Sequence, residues 1–169
     1  ITVSAGKGGG RGEVWFDDLS FRELPRDDAA PPQPLAVASA AMSGGEASRA
    51  VDGDAASAWR APAGAQSLTL DLGRVREFGG LTLHWRVGES ASRYRVQLSD
   101  DGRDWREVRT VREGDGGRDP LALPESEARW IRLLLEDGPG ASYGLGDIVV
   151  ENLAYAATPN DFVKAMAMQ

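Results

Sequence analysis

Asp52-Gly53-Asp54, followed by Ser57, puts two carboxylates and a hydroxyl in one short segment. Calcium is a hard cation that takes about six to eight oxygen ligands from carboxylates, hydroxyls and carbonyls at roughly 2.3–2.6 Å. Glycine tolerates positive φ, so Gly53 permits a sharp turn that aims backbone carbonyls and a carboxylate at one centre. The spacing is not that of an EF-hand, which needs a bidentate Glu at loop position twelve. The same residues also suit a plain Asx turn with no metal, so both readings stand at this point. The acid pairs Asp17-Asp18 and Asp100-Asp101 invite comparison with glycosidase carboxylates. Adjacent residues point apart, however, and Asp100-Asp101-Gly102 reads as a hairpin turn. His84 is the only histidine and has no nucleophile motif beside it, which makes it a poor catalytic group.

The elements that must position these groups belong to a chain of 169 residues with no cysteine. That excludes a disulfide framework, a thiolate nucleophile and cysteine-ligated metal, and one histidine excludes multi-histidine zinc or iron sites. The length fits about one domain, large enough to fold without staples. Nineteen Lys and Arg against 26 Asp and Glu give a net charge of −7, which disfavours nucleic acid and anionic membranes as partners. Of the cations only Lys7 and Lys164 are lysine. The longest aliphatic run, Leu133 to Leu135, is too short to cross a bilayer. The start at Ile1 and the open helical pattern at Ala165 to Gln169 are expected of a piece of a longer protein.

Four zones follow from composition. Residues 1–24 carry a Gly-rich turn and two strand-like stretches around Val14, Phe16, Leu19 and Phe21, a short hairpin. Residues 25–34 hold four prolines and form a linker. Residues 35–156 are the main body. Ser67 to Leu72 alternates with period two, as do Leu81, Leu83 and Trp85, then Tyr94, Val96 and Leu98, then Ile131, Leu133 and Leu135. Such alternation marks antiparallel strands with one buried and one wet face. Turns at Asp100-Asp101-Gly102, residues 114–117 and Gly138-Pro139-Gly140 separate strands with no helix between them, so the fold class is all-β, an antiparallel β-sandwich of jelly-roll type. A helix begins near the end: Thr158 caps, Pro159 takes the first position and Asp161 sits three residues past the cap. Residues 157–169 therefore open a following helical segment or dock on the sandwich.

The body resembles the discoidin domain, also called the coagulation factor 5/8 type C domain, and its relatives in carbohydrate-binding module family 32. Four segments carry the resemblance in the family's order. They are Ala50 to Trp59, matching A-x-D-G-D-x-x-T-x-W; Leu68 to Gly73; Tyr94 to Trp105; and Ala128 to Leu133. Residues 12–19 are similar to the last strands of a different jelly-roll module, which would make 1–24 the tail of a preceding domain.

The resemblance implies a structural calcium. Its ligands, carried over position by position, are the Arg49 carbonyl, the Asp52 carboxylate, the Asp54 carbonyl, the Ser57 oxygens and the carboxylate of Asp147 before Ile148. Ser57 stands where the family has Thr, and Asp147 where it has Glu; Glu151 is a fallback ligand. The resemblance also implies a sugar site in loops at one end of the sandwich. Arg60 and Arg86 take the polar positions there and Tyr143 the aromatic one. The loop from Val87 to Arg93 lacks an Asn that often holds the sugar, and Glu46 and Glu89 are substitute acceptors. Trp59, Trp105, Trp130 and Trp85 are expected in the core.

The implied function is a non-catalytic carbohydrate-binding module of a larger secreted polysaccharide-active protein. It would lie outside the cell, in the periplasm or on the cell surface, and act as a monomer beside flanking domains of its parent chain. Two rivals remain: a ligand-free spacer between a preceding module and a catalytic domain, and a protein- or phospholipid-binding discoidin domain. The polar, Gly-rich end loops at Ser43 to Glu46 and Gly138 to Gly144 disfavour the last.

Overall fold

The computed structural model describes residues 31–54 and 56–167. The hairpin expected in residues 1–24, its assignment to a preceding module and most of the 25–34 linker lie outside the described residues. No helix among the described residues is long and apolar enough to cross a membrane.

Among the described residues, seven antiparallel strands and one α-helix follow each other. They are β1 (Leu35–Ala38), β2 (Trp59–Pro62), β3 (Gln66–Trp85), β4 (Arg93–Ser99), β5 (Arg106–Val111), β6 (Arg118–Asp137), β7 (Ser142–Glu151) and α1 (Pro159–Ala167). Two alternating stretches read from sequence as separate strands, Ser67 to Leu72 and Leu81 to Trp85, are the two halves of the 20-residue β3. Its register breaks between Asp71 and Arg76 and again between Phe78 and Gly80, where bulges bend it.

That bend divides the sheet into two layers. The first half of β3 pairs with β1 on one side and with the end of β6 on the other, and β4 and β5 continue beyond β6. The second half of β3 pairs with β7 and with the start of β6, and β2 lies outside β7. Side chains from both halves meet in one core: Leu68, Leu70 and Leu72 with Leu81, Leu83 and Trp85, joined by Tyr94, Val96, Leu98, Ile131, Leu133 and Leu135. The expected antiparallel sandwich is therefore present, as an open one. Within the core, Asp119 is 8% exposed and accepts from Trp85 Nε1 and from the Tyr94 hydroxyl, both at 2.9 Å. Burial first, and the Asp119 charge second, push the Tyr94 phenol far above its ordinary range.

The core reading is right for Trp59 and Trp85 and wrong for Trp105 and Trp130, which are half-buried. Trp130 shares the parity of Arg132, opposite to Ile131 and Leu133, so alternation sends it to the outer face. There the Arg132 guanidinium stacks 3.8 Å from the Trp105 ring centroid, and Arg129 lies 5.2 Å from Trp130.

After β7 the chain makes a 3-10 turn at Leu153–Ala156 and enters α1. Thr158 Oγ1 accepts the Asp161 N–H at 3.2 Å, forming the expected cap. Phe162 packs edge-on to Tyr155, with 5.5 Å between ring centroids.

Candidate functional site at the sandwich end

The site is set by the pairing of β2 with β7. Residues directly opposite in an antiparallel pair share a face. Arg60 lies opposite Gly144, and Ala61 opposite Tyr143. Trp59 and Ala61 are fully buried, so Arg60 points outward and Tyr143 inward. Tyr143 is accordingly 1% exposed. It is a core residue, and the expectation of an aromatic sugar platform there is corrected; burial also raises its phenol pKa.

Gly144 leaves space on the outer face for Glu89, and a Cβ at that position would collide with the Glu89 carboxylate. Glu89 is held there on both sides of its backbone: its N–H donates to Arg86 O at 3.1 Å, and its carbonyl accepts from Gly144 N at 2.7 Å. Its Oε1 accepts from Ser142 Oγ at 3.1 Å and pairs with Arg60. Burial alone would raise the Glu89 carboxyl, but the Arg60 and Ser142 hydrogen bonds outweigh it and hold Glu89 below its ordinary range. Arg86, just past the end of β3, bonds through its N–H to Gly144 O at 2.8 Å. Its Nη1 donates to Ala56 O at 3.2 Å.

Arg60, Arg86 and Glu89 thus line one open groove of about 460 Å³, together with Arg49, Ser57 and Val87. Val87 stands 98% exposed on its rim. Glu46 is not among the lining residues; it forms an exposed pair with Arg49 at 2.9 Å. Sequence reasoning missed Ser142, whose only signal was its place beside Tyr143 in the loop before β7.

The Asp52 loop borders this groove. Gly53 adopts φ +72°, the conformation its lack of a side chain permits. Asp52 Oδ1 accepts from Asp54 N at 2.9 Å, the Asx turn anticipated from sequence. Ser57 Oγ lies 2.8 Å from Asp52 Oδ2 and 3.2 Å from Arg49 O. A hydroxyl has one proton, so it cannot satisfy both acceptors at full strength. The bonds from Asp54 and Ser57 lower the Asp52 pKa. Asp147 behaves oppositely: burial raises its pKa and the Asp52 charge adds to the rise, against the Ile148 N–H and His84. Two carboxylates therefore feel each other beside a carbonyl and a hydroxyl. Glu151 is elsewhere, its Oε1 accepting from Thr82 Oγ1 at 2.6 Å near Tyr155, so its fallback role is corrected. Among the described residues no three His, Cys, Asp or Glu side chains converge on a metal position. An ion here would rest largely on carbonyl and hydroxyl oxygens, a donor set that fits calcium and not a transition metal.

The F5/8 type C domain profile matches residues 36–147. The chain belongs to the F5/8 type C domain family. Among solved structures, this F5/8 type C domain resembles chitosan-binding module 2 of a chitosanase/glucanase from Paenibacillus sp. IK-5, solved with chitotriose. The two are 26% identical with a TM-score of 0.67, covering 72% of this chain and 98% of that one. Chitosan-binding module 1 of the same enzyme is 28% identical with a TM-score of 0.65, covering 70% of this chain and 94% of that one. A family 32 module from Clostridium perfringens, in complex with GalNAc-β-1,3-galactose, shares the fold at 23% identity and a TM-score of 0.63, covering 70% and 94%. No match was found among curated proteins.

Proposed function

We propose that this F5/8 type C domain is a non-catalytic carbohydrate-binding module that holds glycan in the Arg60–Arg86–Glu89 groove and serves a secreted polysaccharide-active protein. The observation that carries the reading is the convergence of those three side chains, from β2 and the loop after β3, on one groove. Its volume of about 460 Å³ lies in the range of small-ligand sites. The likeness to modules that bind chitosan at 26–28% identity supports a glycan as the ligand class. Binding would act by raising the effective concentration of an attached enzyme at its polymer. The setting outside the cell follows from the same reading.

Beside the groove, the Arg49 and Asp54 carbonyls, the Asp52 and Asp147 carboxylates and Ser57 would hold a calcium ion. The ion would supply charge compensation for the two carboxylates and pin the loop. The loop itself supplies Ala56 O, on which Arg86 rests. The spacer alternative draws its support from the burial of Tyr143, which leaves the groove without an aromatic face.

The test is a glycan array probed with the full chain, with calcium and with chelator, and repeated with Arg60→Ala. Glycan hits lost in the Arg60→Ala protein are expected. A blank array from folded protein, or hits that survive Arg60→Ala, would remove the groove as a sugar site.

A further inference from the structure

The groove is unusual in what it offers a ligand. Three guanidinium groups line it against one carboxylate. That carboxylate, Glu89, takes both its bonds, from Arg60 and Ser142, on Oε1, so one partly engaged acid stands against three guanidinium groups. Arg49 is turned to Glu46. Arg86 has no ion pair among the described residues: its charge reaches Glu89 without a direct contact, its Nη1 donates to the neutral Ala56 carbonyl, and its side chain lines the groove. No aromatic side chain lines the groove itself, and Trp85 and His84 line the adjoining pocket that shares Arg86 and Val87, so stacking on the C–H face of a sugar contributes little within the groove. What remains is charge-assisted hydrogen bonding from a planar fork, which suits carboxylate and sulfate oxygens best.

We infer that the groove selects anionic glycans, with the carboxylate of a uronic acid or the oxygens of a sulfate ester received by Arg86 on a base braced by the Arg60–Glu89 pair. The inference rests on the end groove being the glycan site. It sets this chain apart from the chitosan-binding modules, which are its structural likeness at 26–28% identity, since an amino sugar carrying positive charge would meet like charge here. The acidic net charge of −7 is no obstacle, because a fork in direct contact acts over a few ångströms while distant charges are screened beyond about 8–10 Å.

The experiment is calorimetric titration of the full chain with four trimers: a galacturonate, a sulfated galactan, a neutral galactan and chitotriose. Binding of the galacturonate or the sulfated trimer about tenfold tighter than the neutral one is expected at about 50 mM salt, shrinking at about 500 mM. The two anionic arms separate carboxylate from sulfate as the source. Arg86→Gln should erase the anionic advantage, while Arg103→Gln, which removes the same charge from an exposed turn elsewhere, should leave it. Neutral or cationic trimers binding as tightly as anionic ones would overturn the inference and leave the glycan-binding reading intact. An advantage that survives Arg86→Gln would also overturn it. No binding by any trimer would overturn both.

Discussion

Two arginine-rich regions of this domain differ in what their guanidinium groups are free to do. On the outer face of the β4–β5–β6 layer, Arg132 stacks on Trp105 and donates twice to Gln97 Oε1, at 3.0 and 2.6 Å. Beside it, Arg129 grips Asp71 with both ends of its fork, at 2.8 and 2.9 Å. That face has aromatic rings and arginines, the ingredients of a sugar platform, but its donors and its Trp105 face are already covered. In the end groove there is no aromatic ring, yet Arg86 forms no ion pair among the described residues and spends only Nη1 on a neutral carbonyl. On the proposed reading, unsatisfied bonding capacity marks the site more than residue type does.

The largest expected effect concerns the loop under the groove. Calcium at about 100 times its dissociation constant should stabilise the protein by about 2.7 kcal/mol in thermal melts, and chelator should reverse this. Asp147→Asn should abolish the response, whereas Glu151→Gln should not. A melt indifferent to calcium would reduce the loop to an Asx turn and make the groove floor as self-sufficient as the sheet face. Next, Trp105→Ala should destabilise by about 2 kcal/mol, roughly half the cost of a fully buried aromatic, because the ring is half-buried. Glycan binding should be untouched, and a loss of affinity at unchanged fold would break the comparison by making the sheet face a ligand surface. Arg86→Ala should do the reverse, weakening glycan binding about tenfold with the melting temperature unchanged.

The smallest effect is an acid titration. The Arg129 hydrogen bonds outweigh burial and hold Asp71 below its ordinary value of 3.8. A carboxyl with a lowered folded pKa adds stability above its unfolded pKa and loses it as pH falls through the folded one. Unfolding measured between neutral pH and about pH 2 should therefore show an acid loss that Asp71→Asn diminishes. An unchanged profile in Asp71→Asn would show that the sheet-face pair is as loosely engaged as Arg86.

Much of the fold is legible in the sequence because alternation is a local signal. Leu68-Leu70-Leu72 and Ile131-Leu133-Leu135 declare their buried face within a few residues. The errors came where a position in a motif was preferred to that signal. Trp130 has the parity of Arg132, and Tyr143 has the parity of Leu145, so both placements were available. Other features were beyond reach. Asp119 is buried only because Trp85 and Tyr94 arrive from distant strands to bond it. The groove likewise needs Arg60, Glu89 and Ser142 from three separate segments, and no spacing in the chain announces that Glu89 would pair with Arg60.

The long strands β3 and β6 carry a kinetic consequence. Gln66 finds Leu135 at one end of their ladder and His84 finds Arg118 at the other, so every rung closes a long loop of intervening chain. Loop closure costs entropy before any rung is rewarded, and chains dominated by such distant pairings fold slowly, over milliseconds to seconds. Each strand runs through both layers, so the ladder that completes one layer continues into the other. Until that ladder closes, the leucine-rich strands have unpaired edges open to aggregation.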